Sequence, residues 1–326
     1  MDGFQFNTRA KTFMSAAIAC PSAANGGMAF QQLPPVGFLS RIHCVIRGSL
    51  QNWNNDVLGL GKAAFIQQLR LYTNSNNQIF EMSGPQYHWL LREMLDSEYV
   101  DILGDTDARA AVAGNGAFNL DVVIPVALNL RDAIGLINLQ SDTLRLTLEV
   151  TFANPVAIAG AGASYLINPT LVPYLEVFSV PTNPRNWPRI DLIHQMLGHV
   201  EVMPGAGQYA YQWPKGNVYL QVAHGAGIGS AGADNFTFYN LRVQQSDSLQ
   251  LTDPFYLDRV HWQTRGRARP PGGIYWDGMA SSGLGTYGLT RDLFDSAMVS
   301  DLASVITAGA GGNLHTVRRQ LVALAA

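Results

Sequence analysis

The chain has 326 residues and a formal net charge of −3, and only 14% of its residues are charged, against roughly 25% in typical soluble domains. This length permits two domains with separate cores, and the near-balanced charge excludes a general attraction to nucleic acid or anionic membranes. The low charge, with 47% hydrophobic residues, predicts that other copies of the chain cover much of the surface.

The first 33 residues show neither a helical stripe nor strand alternation, and they are interpreted as an N-terminal arm. Arg9 and Lys11 are basic residues of this arm. They precede FMSAAIAC, which imitates an export signal, but this apolar run is short and an acidic residue stands in front of it. We therefore expect no secretion, and we take Arg9 and Lys11 as candidate assembly contacts.

The first half of the chain then predicts strands separated by loops. The β-type runs cover residues 36–50, 64–74, 117–130 and 143–152. In the last run, apolar side chains alternate with polar ones, which predicts one core-facing and one solvent-facing side. The apolar set is Leu144, Leu146, Leu148 and Val150, and the polar set is Arg145, Thr147, Glu149 and Thr151.

Residues 83–100 predict a helix, SGPQYHWLLREMLDSEYV. Ser83 is a suitable N-cap and Pro85 fits the first turn. The apolar face expected to be buried contains Tyr87, Leu90, Leu91 and Met94.

Residues 154–173 are rich in Ala, Gly and Pro and are interpreted as a linker near the middle of the chain. After it, short β-type runs continue at the spacing typical of sandwiches or barrels. The predicted organisation is an arm (1–33), a first β-sandwich (34–153), the linker (154–173) and a second β-sandwich (174–326).

A sequence pattern occurs once in each half. Arg131-Asp132 follows a β-type run and is followed by a Ser-Asp pair ending at Asp142, and Arg291-Asp292 is followed in the same way by a pair ending at Asp301. Each Ser-Asp pair precedes another β-type run, and a short helix is expected between the two pairs. The repetition indicates that one connection is built twice.

The motifs that carry enzyme chemistry are weak. GIGSAG (227–232) fits a dinucleotide-binding pattern, but the strand-like NFTFYNLRV follows it where that site requires a helix. The seven histidines have no metal-ligand spacing, and Cys20 and Cys44 form neither a zinc motif nor a disulfide scaffold. We expect Cys44, in IHCVI, to be a small core residue. The sequence therefore predicts no catalytic residue, metal or cofactor.

Three arginines lie close together in HWQTRGRARPPGGIYW, where aromatic residues flank them. Arg265, Arg267 and Arg269 have the composition of a nucleic-acid contact. A single cluster in a chain of net negative charge is more typical of a solvated or inter-subunit loop. We therefore take these arginines as candidate assembly contacts and expect no specific nucleic acid as a partner.

The order of these segments resembles the double jelly-roll major capsid proteins of tailless icosahedral viruses, especially bacteriophages with an internal membrane. The resemblance begins near Leu33 and includes LPPVGFLSRIHCVIRGSL, AFNLDVVIPVALNL with RDAIGL, INLQSDTLRLTLEVTF, and the late GGIYWDGM and LHTVRRQLVAL. It implies an all-β fold of two consecutive eight-stranded jelly-roll β-sandwiches, with short helices in the connections.

The resemblance also implies a function. A chain of this family is expected to form a homotrimer with a six-sided outline, and its trimers to contact one another and minor or vertex proteins in a virion capsid assembled in the host cytoplasm. The arm would face inward, towards a neighbour, a minor protein or a membrane. The short loops of this sequence differ from the larger members of the family, and so we do not expect elaborate towers.

Two other functions stay open at this point. A secreted carbohydrate-binding or adhesin-like β-sandwich would use exposed aromatic side chains, for which Trp53, Trp187, Trp213 and Trp276 are the candidates. A cupin-like metalloenzyme would need histidines and carboxylates brought together on neighbouring strands.

Overall fold

A computed structural model of the chain describes residues 10–19, 27–53, 61–91, 94–95, 114–128, 134–154, 165–188, 192–226, 236–244, 246–251, 273–276 and 294–323. This part of the chain is mainly β-strand, as the sequence predicts. Its helical turns are short, and none of its helices is long and apolar enough to cross a membrane. They are Gly61–Phe65, Gly84–Gln86 continuing into Tyr87–Leu91, Pro184–Asn186 and Ser296–Met298.

The strands in the described ranges are numbered in chain order. They are β1 (Ala10–Met14), β2 (Ile18–Ala19), β3 (Met28–Gln32), β4 (Phe38–Trp53), β5 (Ile66–Thr73), β6 (Gln78–Met82), β7 (Gly114–Pro125), β8 (Ile137–Asn138), β9 (Leu146–Phe152), β10 (Tyr165–Phe178), β11 (Leu192–Met203), β12 (Gly207–Gln212), β13 (Val218–Ala226), β14 (Phe236–Val243), β15 (Ser246–Leu251), β16 (Gly273–Trp276), β17 (Phe294–Asp295), β18 (Leu302–Ala308) and β19 (Gly312–Ala323).

The chain forms two compact units. The first contains Met1–Gly84, Ser97–Leu197 and Ala323–Ala326, and the second contains Pro85–Asp96 and Gly198–Val322. The division therefore falls within β11, after Leu197.

Two sets of four neighbouring strands form the jelly roll of the first unit. One has the strand order β1-β10-β4-β7 and the other has the order β3-β9-β5-β6, and all these neighbours are antiparallel. The pairs are nested along the chain: β5–β6 lies within β4–β7, which lies within β3–β9, which lies within β1–β10. A long hairpin rolled up in this way is the eight-stranded jelly roll.

The second unit has the same pattern. Its two sets of four neighbouring strands have the orders β11-β19-β13-β16 and β12-β18-β14-β15. Here β14–β15 lies within β13–β16, which lies within β12–β18, which lies within β11–β19. The fold class predicted from the sequence, two consecutive eight-stranded jelly rolls, is therefore confirmed.

The repeated sequence pattern lies in equivalent connections of the two jelly rolls. In the first, β8 pairs with β4, and the chain then passes through the Ser-Asp pair at Asp142 into β9. In the second, β17 pairs with the equivalent strand β13, and the chain passes through Asp301 into β18. Among the described residues of the first connection, 134–142, the regular element is the two-residue strand β8 rather than the expected helix. In the second connection the expected short helix is the single 3-10 turn Ser296–Met298. Both Arg-Asp pairs lie outside the described residues.

The alternation predicted for β9 is confirmed on its core face, where Leu146, Leu148 and Val150 are buried, with Phe152 beyond them. Burial of side chains of this size stabilises the fold by roughly 1.5–3 kcal/mol each. Leu144 precedes the strand and is half-buried. On the opposite face Thr147 and Thr151 are half-buried, but Glu149 is buried, contrary to the expected solvent-facing side. Cys44 is also a buried core residue, and this burial, with Asp121 nearby, raises the pKa of its thiol.

The core of the second unit is rich in aromatic side chains. Trp213 and Tyr219 contact each other edge to face, with ring centroids 4.7 Å apart. Tyr239 and Phe236 belong to the same buried cluster, together with aliphatic side chains such as Ile306. Edge-to-face pairs add about 0.5–1.5 kcal/mol to the burial of their area.

The structure differs from the sequence-based boundaries at both ends of the first jelly roll. Residues 10–14, 18–19 and 28–32 of the predicted arm are strands, because backbone hydrogen bonds to β10 and β9 hold them although their side chains do not alternate clearly. Residues 165–173 of the predicted linker belong to β10, the last strand of this jelly roll. The connection to β11 follows, after Phe178.

The helix predicted over residues 83–100 is described only in part. The helical turns extend over Gly84–Leu91, and residues 92–93 and 96–100 lie outside the described residues. Its predicted apolar face is confirmed, since Tyr87, Leu90, Leu91 and Met94 are buried.

Candidate assembly surface

Two outer strands of the first unit expose large apolar side chains. Phe13 and Met14 on β1 expose 40% and 62% of their surface, and Met28 and Phe30 on β3 expose 56% and 65%. Each strand is the last in the order of its sheet. An outer strand with such side chains is prone to pair with another chain unless something covers it.

Strand β1 is held by its backbone. It pairs with β10 from Ala10 opposite Phe178 to Met14 opposite Tyr174, yet the side chains on both of its faces are exposed. Lys11 projects from the same strand. A strand that buries so little of its own surface offers both faces to a neighbour, and Lys11 adds one positive charge to this surface.

The equivalent strand of the second unit, β11, has a similar stretch. From His199 to Val202 the side chains on both faces are exposed, and Val200 and Val202 expose 45% and 71% of their surface. Glu201 lies between these valines and is exposed as well. The carbonyl of His199 accepts a hydrogen bond from the Gln86 side chain at 3.0 Å, which holds the beginning of the stretch.

A row of charged side chains crosses the outer face of the sheet that contains β3. Phe30 is opposite Glu149, which is opposite Arg70, which is opposite Glu81. Arg70 donates to Glu149 at 3.3 Å, and its Nε lies 3.9 Å from Glu81. Tyr72 also donates to Glu149, at 3.2 Å. These charged side chains pair with one another within the sheet. Phe30, at the outer end of the row, is exposed and is therefore the apolar side chain available to a partner.

A second charged group lies on the face of the other sheet turned away from the core. Glu176 accepts a hydrogen bond from Arg41 Nε at 2.5 Å and lies 2.9 Å from Nε2 of His43. Burial by itself would raise the pKa of Glu176, but the hydrogen bonds from His43 and Arg41 and their charges hold it below its ordinary value. Glu176 therefore stays ionised, and its contacts with Arg41 and His43 hold β4 against β10. Thr12 of β1 lies opposite Glu176 on the other side of β10.

Inside the second unit, a polar cluster surrounds Ser304. Its Oγ accepts a hydrogen bond from Trp213 Nε1 at 2.9 Å and lies 2.9 Å from His224 Nε2 and 3.2 Å from Tyr239 OH. His224 Nδ1 lies 3.0 Å from Thr316 Oγ1. The Ser-His-Thr arrangement resembles a nucleophile with its base, but all five side chains are buried and no substrate can reach them.

The buried cluster stays neutral at physiological pH. Desolvation lowers the pKa of His224 to about 3 and raises the pKa of Tyr239 to about 12, against a smaller opposing effect of the Ser304 hydrogen bond. The cluster therefore joins β13 and β19 of one sheet to β14 and β18 of the other through neutral hydrogen bonds. Its role is structural.

The residues that the rival interpretations need are not assembled in the described part of the chain. No group of three or more His, Cys, Asp or Glu side chains that could hold a metal ion occurs there. Trp213 is buried and cannot stack on a sugar. Trp187 exposes 38% of its surface, as that interpretation expects, but its indole N–H donates to the carbonyl of Pro181 at 3.0 Å and its ring packs edge-on against Phe38. The side chains of Trp53 and Trp276 lie outside the described residues.

The structure places one predicted contact residue at this surface. Lys11 is exposed on β1, and Arg9, Arg265, Arg267 and Arg269 lie outside the described residues, as does GIGSAG. The sequence-based interpretation missed Phe13, Met14, Phe30, Val200 and Val202. Phe13, Met14 and Phe30 belong to the segment interpreted as an arm, and Val200 and Val202 to a short apolar run, but no feature of the sequence singles out these side chains as exposed.

Comparison by sequence finds no matching protein-family model and no matching curated protein. The structure, in contrast, is similar over almost its whole length to solved viral proteins. The crystal structure of the major capsid protein of Sulfolobus turreted icosahedral virus has a TM-score of 0.70 at 12% sequence identity, covering 97% of each chain.

Two further structures match the same share of this chain. The major capsid protein P2 from bacteriophage PM2 has a TM-score of 0.60 at 13% identity, over 97% of this chain and 98% of that one. The PBCV-1 virus capsid has a TM-score of 0.61 at 9% identity, over 97% and 95%. Together with the two nested sets of strands, these matches confirm the resemblance found in the sequence: the chain has the double jelly-roll fold of viral major capsid proteins.

Proposed function

We propose that the chain is a structural capsid protein that assembles as homotrimers with a six-sided outline, and that these trimers form an icosahedral virion shell. The observation that carries this proposal is the presence of two jelly rolls of one topology in a single chain. Solved proteins with the same fold along 97% of this chain are viral major capsid proteins.

The physical reason lies in the number of modules. Three chains with two like modules each present six similar units, and a six-sided particle can tile a surface with neighbours on every side. Such a shell needs no single strong bond, because weak contacts between trimers are repeated many times and act together. The exposed apolar side chains of β1, β3 and β11 are the surfaces that such contacts would cover.

The role is non-catalytic and needs no cofactor. Its partners are other copies of the chain, within the trimer and between trimers, together with minor or vertex proteins of the capsid. The N-terminal segment is the part proposed to face an internal membrane, and no specific nucleic acid is bound. Arg265, Arg267 and Arg269 remain proposed assembly contacts.

The first test is the mass of the purified full-length chain in solution, measured by light scattering over a range of concentrations. A particle of three times the chain mass of 35.4 kDa is expected. A folded protein that stays monomeric at every concentration would refute the proposal. If a monomer is found, its circular dichroism spectrum is the control: a β-type spectrum shows that the monomer is folded.

A further inference from the structure

We infer that β1 of one copy contacts the exposed stretch of β11, residues 199–202, on a neighbouring copy of the chain. This inference rests on the proposed function and specifies one of its contacts. Lys11, Phe13 and Met14 form one side of the contact, and Val200, Glu201 and Val202 form the other. The occupant of each surface is thus a second copy of this chain.

The first argument is exposure. A strand in a sandwich normally buries one face, as β9 does, but β1 and residues 199–202 of β11 expose the side chains of both faces. In each stretch two of the exposed side chains are large and apolar. Surfaces of this kind are rare on isolated soluble proteins and are typical of contacts between subunits.

The second argument is complementarity of charge. The exposed charge on β1 is that of Lys11, and the exposed charge between the two valines of β11 is that of Glu201. Lys11 shares its face of β1 with Phe13, and Glu201 projects from the face of β11 opposite Val200 and Val202, so a neighbouring strand that pairs along the edge would meet both faces. Opposite charges favour this pairing, and like charges would disfavour a contact of β1 with a second β1 or of β11 with a second β11.

The third argument is symmetry. Phe13 and Met14 belong to the first unit, and Val200 and Val202 belong to the second, so the contact joins two different surfaces of the chain. A contact between different surfaces continues from copy to copy and can close a ring of three, whereas a surface that pairs with itself gives a dimer. The two surfaces therefore suit the trimer of the proposed function.

The test uses charge reversal in the full-length protein, with Lys11→Glu, Glu201→Lys and the double variant. Each single reversal places like charges together and should raise the trimer dissociation constant at least tenfold. The double variant restores opposite charges and should return to within about threefold of the unchanged protein. Lys215→Glu and Asp142→Lys reverse exposed charges elsewhere and are the matched controls; both should assemble normally.

The outcomes separate this inference from the proposed function. Suppose that the unchanged protein is a trimer. If the single reversals then have the dissociation constant of the controls, or if the double variant dissociates as readily as the single variants, the contact is wrong and the proposed function stands. If the unchanged protein is a monomer, both fail. Met14→Ala and Val202→Ala, which keep all charges, should each weaken the trimer as well; two variants with unchanged assembly would overturn the contact.

A membrane is the competing occupant of β1. Vesicles with anionic headgroups, mixed with the full-length protein and sedimented, test for it. If Lys11→Glu abolishes sedimentation with the vesicles and leaves the trimer dissociation constant unchanged, β1 serves a lipid surface and the inferred contact is refuted. If sedimentation does not depend on Lys11 and assembly does, the contact between copies is supported.

Discussion

His224 and Ser304 lie in different sheets of the second jelly roll, and the 2.9 Å contact between His224 Nε2 and Ser304 Oγ joins these sheets through the core. Most of the surrounding core is apolar, so each buried polar atom needs its partner. The cluster therefore fixes the packing of the two sheets and makes it sensitive to changes that an apolar core would tolerate.

The first prediction concerns acid. The ordinary pKa of a histidine is 6.5, and burial lowers the pKa to about 3 for His224 and about 4 for His315. At a pH below 6.5 the unfolded chain binds protons that the folded chain does not, so the free energy of unfolding falls as the pH falls. The slope is at most about 1.4 kcal/mol per pH unit for each histidine.

The measurement is urea unfolding between about pH 7 and pH 5, compared with the His224→Gln variant. This variant should be less stable at pH 7, and its stability should depend less on pH, because one of the two histidines is gone. Equal slopes for the two proteins would contradict the assignment.

The second prediction concerns Ser304. Replacing it with alanine leaves the Trp213 N–H and one nitrogen of His224 without their buried partner, and we expect a loss of about 1–3 kcal/mol in the free energy of unfolding. Ser300→Ala, four residues earlier and exposed, should change it by less than about 0.5 kcal/mol. A Ser304→Ala protein as stable as the Ser300→Ala control would show that the cluster contributes nothing.

The third prediction concerns the turn before β4. Gly37 has φ +99°, and a Cβ at this position would collide with the carbonyl oxygen of Phe178 on β10. Gly216 has φ +81° but open space around it. Both alanine variants carry the cost of a left-handed backbone, and Gly37→Ala should lose at least about 1 kcal/mol more because of the collision. Equal thermal and urea stabilities of the two variants would exclude the close approach.

The fourth prediction concerns the charged row in the first jelly roll. Glu149→Gln removes the carboxylate that accepts from Arg70 and Tyr72, and it should lower the free energy of unfolding by about 1–3 kcal/mol. Asp142→Asn changes an exposed carboxylate in the same unit and is the control. If the two variants unfold at the same urea concentration, the row does not stabilise the sheet.

Much of the fold could be predicted because one face of many strands is buried, and alternation then appears in the sequence, as in β9. Strands without a fully buried face could not be found in this way. β1 exposes every side chain, and β6 is short and follows the tight turn at Asn76, where φ is 60°. Both strands depend on backbone pairing with distant segments.

The candidate surface could be predicted only through its charge. Lys11 stands out as one of few basic residues, whereas Phe13 lies in a segment without strand alternation and Val202 in a short apolar run, and neither is marked as exposed. Phe13 is exposed on β1, which ends its sheet, and Val202 lies in a stretch of β11 whose side chains are exposed on both faces; both features are properties of the tertiary structure. The cluster of His224 and Ser304 was missed for a similar reason, since these residues are 80 positions apart.

The central claim is that three copies, each with two like modules, form a six-sided particle. Negative-stain electron microscopy of the purified full-length chain tests it most directly. Class averages with a six-sided outline, from particles with the mass of three chains, are the predicted result. Particles with three lobes and no sixfold appearance, or single chains only, would contradict it.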